Sequence, residues 1–345
     1  MAEFEIVAHS PRYRYSKYGS IIGRGAYKTV HYGYDSELGI MVAWNEISLL
    51  KLSPAQKEKI RDEVKILSEL KQYQKHPNIL NIHSSWFNRE SNTIVFITDL
   101  FHSGSLKSFI GRVKRFKIRS VKKWCQNILA GLKFLHERKV IHRDLKCDNL
   151  FIRGTSGNIV IGDFGISRVV ADKGNASTVL GTPEFMAPEI YDEKYNEKSD
   201  IYSFGMCLLE MVTNQTPYSE CGNVPQIWRK VTSKTKPDSL ISVEIGIIRD
   251  LIDRCINYDP DERPGIEEIM AHPFFTDDGL DDIMINFGDT TVATGEKVAV
   301  QKTIEDEIEE ALKHDTHLEE SVVDDTHSGG SNGSAVGSDV EPLGE

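Results

Sequence analysis

Ile141-His142-Arg143-Asp144-Leu145-Lys146-Cys147-Asp148-Asn149 is a short polar run set between Phe134-Leu135 and Leu150-Phe151-Ile152. An acid, a lysine and a carboxamide are thus presented from a turn whose apolar flanks hold it, the way reactive groups are fixed on a scaffold. Fourteen residues after Asn149, the run Ile161-Gly162-Asp163-Phe164-Gly165 sets a second acid on a glycine-flanked turn, and Ala187-Pro188-Glu189 follows. Working outward toward the N-terminus, residues 18–30 read as strand, glycine turn, strand, with Gly23 and Gly25 letting backbone approach phosphate oxygens closely. Residues 41–47 read as a third strand and residues 93–101 as a further apolar strand entering a junction. In between, Ser53 is an N-cap with Pro54 at the first helical position, and Ile60, Val64, Leu67 and Leu70 recur at helical spacing. Beyond the junction, Trp124, Ile128, Leu132 and Leu135 mark a helix from about Ser120 whose stripe is core. At 345 residues the chain is long enough for a two-lobed core plus an appendage.

Composition bounds the rest. The chain is 39% hydrophobic and 27% charged, ordinary for a globular protein, and no run of eighteen uncharged apolar residues asks for a membrane span. Its five cysteines are odd in number and lack metal spacing, which predicts reduced thiols and a cytoplasmic location. The net charge of −11 is unevenly spread: residues 277–345 hold 19 acids and 3 lysines, the rest 33 acids and 38 basic residues. A mildly basic body suits phosphate and acidic protein substrates but offers no concentrated face for nucleic acid.

The order His142-Arg143-Asp144, Asn149, Asp163-Phe164-Gly165 and Ala187-Pro188-Glu189 matches the signature of protein kinases at the proper distances. Against that template two departures stand together. Lys28 occupies the place of the third glycine in Gly23-Arg24-Gly25-Ala26-Tyr27-Lys28-Thr29-Val30, and Asn45 occupies the place of the third-strand lysine in Val42-Ala43-Trp44-Asn45. An amide can donate a hydrogen bond but cannot offset several negative charges. Strand alternation puts Lys28 on the face of Val30, and Glu63 falls on the helical stripe between Ile60 and Leu67, where an unpaired carboxylate is costly. Lys28 can reach that acid from strand two; the alternative is that Glu63 lies at the edge of the stripe and is solvated. With Gly181-Thr182-Pro183-Glu184-Phe185-Met186-Ala187-Pro188-Glu189 and Pro217-Tyr218-Ser219-Glu220-Cys221, this pattern resembles the With-No-lysine (WNK) protein kinases from about Tyr18 to about Phe275.

That resemblance implies an α+β, bilobal protein kinase fold with a kinase domain over 18–275 (small lobe about 18–98, helical lobe about 102–275); residues 1–17, polar and aromatic without a period, read as a loosely attached arm, and the charge step marks 276–345 as a separate acidic tail. It implies ATP and Mg2+, with Asp144 orienting the substrate hydroxyl, Lys146 beside the transferring phosphate, Asn149 and Asp163 holding magnesium. Lys28 would pair with the phosphates and Glu63. Gly23, Gly25, Val30, Ala43, Phe151, the gatekeeper Thr98 and the backbone of Asp99 and Phe101 would surround the nucleotide. Thr182 would lie at the substrate hydroxyl, Thr178 or Ser177 would take an activating phosphate, with Arg143 as its receptor, and Glu189 would pair with Arg263. The family's inhibitory chloride sits beside an Asp-Leu-Gly-Leu turn; here Phe164 and Ile166 stand at that anion site, and the bulkier Phe164 competes for the space. Partners implied are Ser/Thr protein substrates, among them sterile-20-like kinases, and a second copy for autophosphorylation, in osmotic or ion-transport signalling. His142 reads as a packed structural histidine, and Asp200 as an acceptor for catalytic-loop backbone. In the tail, residues 300–315 read as a marginal acidic amphipathic helix and 327–338 as Gly/Ser-rich and disordered. Asn45 taken alone keeps a second reading open, a pseudokinase scaffold that binds nucleotide or partners without catalysis.

Overall fold

A computed structural model describes residues 5–24, 28–50, 75–162, 182–191 and 195–287. Gly25, Glu63, Asp163, Phe164, Ile166, Ser177 and Thr178, the helix read from Ser53, and the tail beyond residue 287 lie outside the described residues.

The first part is a six-stranded antiparallel sheet of β1 (Ile6–His9), β2 (Tyr15–Arg24), β3 (Lys28–Asp35), β4 (Ile40–Ser48), β5 (Ile82–Asn88) and β6 (Thr93–Asp99), in the order β1-β2-β3-β4-β6-β5. Register decides which residues share a face. Val30 stands opposite Asn45, Asn45 opposite Phe96, and Ala43 opposite Thr98, so Lys28, Val30, Ala43, Asn45, Ile47, Phe96 and Thr98 belong to one face. Ile47, Ile94 and Phe96 of that face join the main core. Val42, Trp44, Val95 and Ile97 belong to the other, where they pack with Tyr15 and Trp86 as a separate cluster. Period-two alternation thus sorts the sheet into a side that faces the rest of the protein and a side with its own small core.

The expectation of a loosely attached arm over residues 1–17 gives way here. Ile6–His9 pair with β2, Tyr15 is buried, and Arg14 forks onto Asp35 through Nε–Oδ1 and Nη2–Oδ2 at 3.0 and 2.7 Å. A four-residue edge strand with Ile6 and Val7 exposed carries little periodicity for sequence reading to find. With β1 added, the family's second strand is β3 here and its third is β4.

Helices dominate after residue 100. The first, α1 (Leu106–Ile110), is capped by Ser105 Oγ, which accepts from Ser108 N at 3.2 Å. Strand β7 (Arg115–Lys117) leads into the 20-residue α2 (Ile118–Glu137), whose Val121, Trp124, Cys125, Ile128, Leu129, Leu132 and Leu135 are buried. Hairpin β8 (Leu150–Arg153) and β9 (Asn158–Ile161) lies against α2. At Gly131 of α2 an added Cβ would fall 2.8 Å from Ile161 Cδ1 and 3.1 Å from Asn78 O, so a larger residue would push the hairpin away. Next comes α3 (Lys198–Thr213), buried continuously from Ser199 to Met211, the mark of a helix at the centre of a lobe. Around it stand α4 (Val224–Thr232), α5 (Gly246–Cys255), α6 (Ile266–Met270) and α7 (Pro273–Thr276).

The lobe continues past Phe275, where the kinase motifs stop. Strand β10 (Met284–Asn286) pairs with β7, and Ile118 N and Arg119 N, the first donors of α2, bond Ile283 O and Asp281 O at 2.9 and 3.3 Å. No side chain caps that helix end, so this backbone does. Lys122, buried on α2, donates to Asp277 O at 2.6 Å and to Asp281, and Phe287 meets Phe116 edge-on at 5.2 Å. The contact is main-chain pairing over a long sequence separation, and it leaves no hydrophobic period to read.

Candidate active site

The loop from His142 to Asn149 is pinned from beneath by α3. Asp200, fully buried, accepts from His142 N and Arg143 N at 2.9 Å each, and His136 Nε2 lies 2.8 Å from its Oδ2. Burial alone would raise the Asp200 carboxyl; the bond to His136, its charge and the backbone donors outweigh it and hold the group below the ordinary carboxylate range. The same anchoring sustains Arg143 at φ +67°, a left-handed conformation that costs a non-glycine residue about 1–3 kcal/mol. His142 Nδ1 accepts from Asp144 N at 3.3 Å while Nε2 donates to Gly162 O at 3.1 Å, which fixes the Nε2–H tautomer and leaves the ring structural, as its sequence context implied. His136 was not legible as an anchor, since it sits at the polar end of an amphipathic helix.

Above that floor the reactive groups converge. Asn149 Nδ2 donates to Asp144 O and Oδ2 at 2.8 and 2.9 Å, and Lys146 Nζ lies 3.2 Å from the same carboxylate. Lys146 also donates to Thr182 Oγ1 at 2.6 Å, so a residue 36 positions further along the chain joins the group around Asp144. Gly162 N bonds Asn149 O at 2.9 Å, which brings Asn149 beside the residue preceding Asp163. Because the Asn149 amide nitrogen is committed to Asp144, its carbonyl oxygen is turned away from that acid. Together with the carboxylate of Asp163, which lies outside the described residues, that amide oxygen would make an all-oxygen donor set of the kind Mg2+ takes.

At the lobe junction Phe101 and Phe151 stack at 5.3 Å and 14°, with the Arg153 guanidinium 5.7 Å over Phe101. Gly162 lies against this floor; a Cβ there would come 2.7 Å from Phe151 Cε2. Asp99 receives His83 Nε2 at 2.8 Å and Arg153 Nη2 at 3.4 Å. Burial would raise its carboxyl, but the His83 bond with the His83 and Arg153 charges keeps it lowered. Neither partner carries a motif that could have announced it.

On the inner face of the sheet the two exchanged positions separate clearly. Asn45 is 3% exposed and its Nδ2 donates to Ala43 O, Phe96 O and Thr98 Oγ1 at 3.1, 3.2 and 3.1 Å. Two carbonyls in reach require the NH2 end to point there. Lys28 stands on the same face two positions along β3, its Nζ 5.4 Å from the Phe96 ring centroid. Gly23, opposite Val30, has open space where a Cβ would be. Structural support completes the lobe: Arg263, fully buried, forks onto Glu189, with Nη2–Oε2 at 2.8 Å.

Residues 16–275 match the family described as Protein kinase domain. The chain belongs to the protein kinase family. It is 46% identical over 280 residues, 80% of its length, to the mouse serine/threonine-protein kinase WNK4, of which it spans 22%. To the serine/threonine-protein kinase WNK of Caenorhabditis elegans it is 46% identical over 275 residues, covering 77% of this chain and 15% of that protein. With the Drosophila melanogaster Wnk kinase the figures are 44% over 277 residues, 79% and 11%. The chain therefore spans less than a quarter of the length of these relatives. Kinases of this family generally work with ATP and Mg2+. No helix among the described residues is long and apolar enough to cross a membrane.

Proposed function

We propose that this chain is an ATP-dependent serine/threonine protein kinase of the WNK type, with its phosphate-holding lysine supplied by Lys28 on β3. The observation that carries the reading is the meeting of Asp144, Asn149, Lys146 and Thr182. A carboxylate held on one side by an amide and on the other by an ammonium, with that ammonium also on a threonine hydroxyl, suits a substrate hydroxyl placed between Asp144 and Thr182. Asp144 orients and accepts the hydroxyl proton, and Lys146 balances charge on the transferring phosphoryl group. Asn149 and Asp163 would hold magnesium, which neutralises phosphate charge when bound. Lys28, paired with Glu63, takes the phosphates from the inner face, while Val30, Ala43 and the Phe101–Phe151 floor enclose the base against the backbone of Asp99 and Phe101. Asn45 does not compete for that role, because its amide nitrogen is spent on two carbonyls and Thr98. Thr178, with Ser177 second, is the activating phosphosite, and Arg143 its receptor.

Buried, unpaired thiols at Cys125, Cys147, Cys207 and Cys255 support work in the reducing cytoplasm. Sterile-20-like kinases are the protein substrates to try first, with a second copy of the chain for autophosphorylation and osmotic or ion-transport signalling as the setting. The deciding experiment measures Mg2+-dependent phosphate transfer from ATP to a generic serine/threonine substrate and to the chain itself. Lys28→Met should lose about a hundredfold or more, as removal of a preorganised charge partner does. Lys17→Met, whose ammonium pairs with Glu46 on the opposite face of the same sheet, should stay within a few-fold. Wild type that binds ATP but transfers nothing, even when Thr178 is phosphorylated, would instead establish the scaffold.

A further inference from the structure

The position that Asn45 fills is not idle, and its contacts run toward the base rather than the phosphates. Its amide donates to Thr98 Oγ1 at 3.1 Å, and Thr98 Oγ1 in turn donates to Asp99 O at 3.3 Å. Thr98 has one hydroxyl proton and uses it on Asp99, so the amide supplies the hydrogen bond that the hydroxyl oxygen accepts. Asn45 and Thr98 are each 3% exposed, which places this line in a medium where such bonds strengthen one another. The two ends are fixed independently. Asn45 also bonds Phe96 O and Ala43 O across β4 and β6, and Asp99 is held through its side chain by His83 and Arg153.

We infer that Asn45 is a positioning residue for nucleotide-base recognition: through Thr98 it orients the Asp99 carbonyl at the lobe junction, and it makes no contact with phosphate. The inference rests on the kinase reading above, since it presumes that a nucleotide base lies against Asp99. In that arrangement the two halves of a single task are split between strands. Charge for the phosphates comes from Lys28 on β3, and geometry for the base comes from Asn45 on β4, in the row of Val30 two residues from Lys28.

Three ligands separate these roles: ATP, adenosine and inorganic tripolyphosphate, each displacing a fluorescent ATP analogue at equilibrium from the full chain. Asn45→Ala and Thr98→Val should each weaken ATP and adenosine by the same factor, about fivefold, the worth of one neutral hydrogen bond. Tripolyphosphate affinity should not move. The double variant should bind adenosine no more weakly than the poorer single variant, because both remove the same line. Thr98→Ser, which keeps the hydroxyl, should restore wild-type adenosine affinity, and it keeps the test open should Asn45→Ala fold poorly. Additive losses in the double variant, an unchanged adenosine affinity, or a loss confined to tripolyphosphate would each overturn the inference while leaving the kinase reading intact. Failure of wild type to bind any nucleotide would overturn both.

Discussion

Replacing Arg263 by methionine tests how the segment carrying Thr182 is held. All five guanidinium donors are engaged: Nε on Asn257 O at 2.7 Å, Nη1 on Glu189 Oε1 and on Lys198 O at 2.5 and 3.0 Å, Nη2 on Glu189 Oε2 and on Tyr258 O at 2.8 and 3.1 Å. Methionine fills much of the volume but leaves Glu189, 9% exposed, without its cation, and removes the guanidinium's hydrogen bonds to three backbone carbonyls. Breaking a buried pair by removing one partner costs about 3–5 kcal/mol. For a domain of this size each kcal/mol is worth roughly 2–4 °C, so Arg263→Met should melt about 6–20 °C lower. Arg263→Lys keeps charge but loses the planar fork and should fall between. Glu189 lies seven residues after Thr182, so loosening it should also raise the KM for protein substrate more than the KM for ATP. Calorimetric melting of the three chains, with kinetics below the lowest midpoint, checks both. A melting point for Arg263→Met within about 2 °C of wild type would refute the reasoning, because a buried carboxylate cannot lose its cation so cheaply.

Two further outcomes follow from the geometry. Asp200 is held below its ordinary pKa in the fold, so its contribution to stability is complete above the unfolded carboxylate value and is lost as pH falls through the lower folded value; denaturation midpoints from pH 6 downward should decline in wild type and decline less steeply in Asp200→Asn, and parallel curves would contradict the anchoring. A chain ending at residue 276 removes the backbone cap of α2 and strips Lys122 of Asp277 O and Asp281, so it should melt several degrees below a chain ending at 287, whereas equal melting points would show the β7–β10 pairing to be dispensable.

What could be read from the sequence divides along a physical line. Asp144, Lys146 and Asn149 lie within six residues of one another, and their grouping follows from a turn between apolar flanks whatever the rest of the chain does. Asp200 and Arg263 were legible because the family pattern places an acid and an arginine at fixed distances, and the structure brings them to the predicted partners. What escaped reading was held by main-chain hydrogen bonds or by side chains without a motif. The edge strand Ile6–His9 and the return of Met284–Asn286 onto β7 are backbone pairings, and backbone carries no residue signature. His83 and Arg153 on Asp99 join β5, β6 and β8, elements that nothing in their own sequences relates.

Asn45 is the instructive case, because its residue type was legible and its hydrogen bonds were not. Measured against a lysine, an amide is a deficit of charge, and on that scale it argued for a dead enzyme. Measured by hydrogen bonds, it is a gain: an ammonium at that buried position would have needed a carboxylate or phosphate to offset its desolvation, whereas a neutral amide is satisfied by Ala43 O, Phe96 O and Thr98 Oγ1 already present on the sheet. On the proposal that Lys28 holds the phosphates, β4 is spared a buried cation at position 45, and Asn45 is left to its bond with Thr98. A lysine returned to position 45 would place a second cation on the face that already carries Lys28, displace the bond to Thr98, and leave the binding of the base poorer for the change.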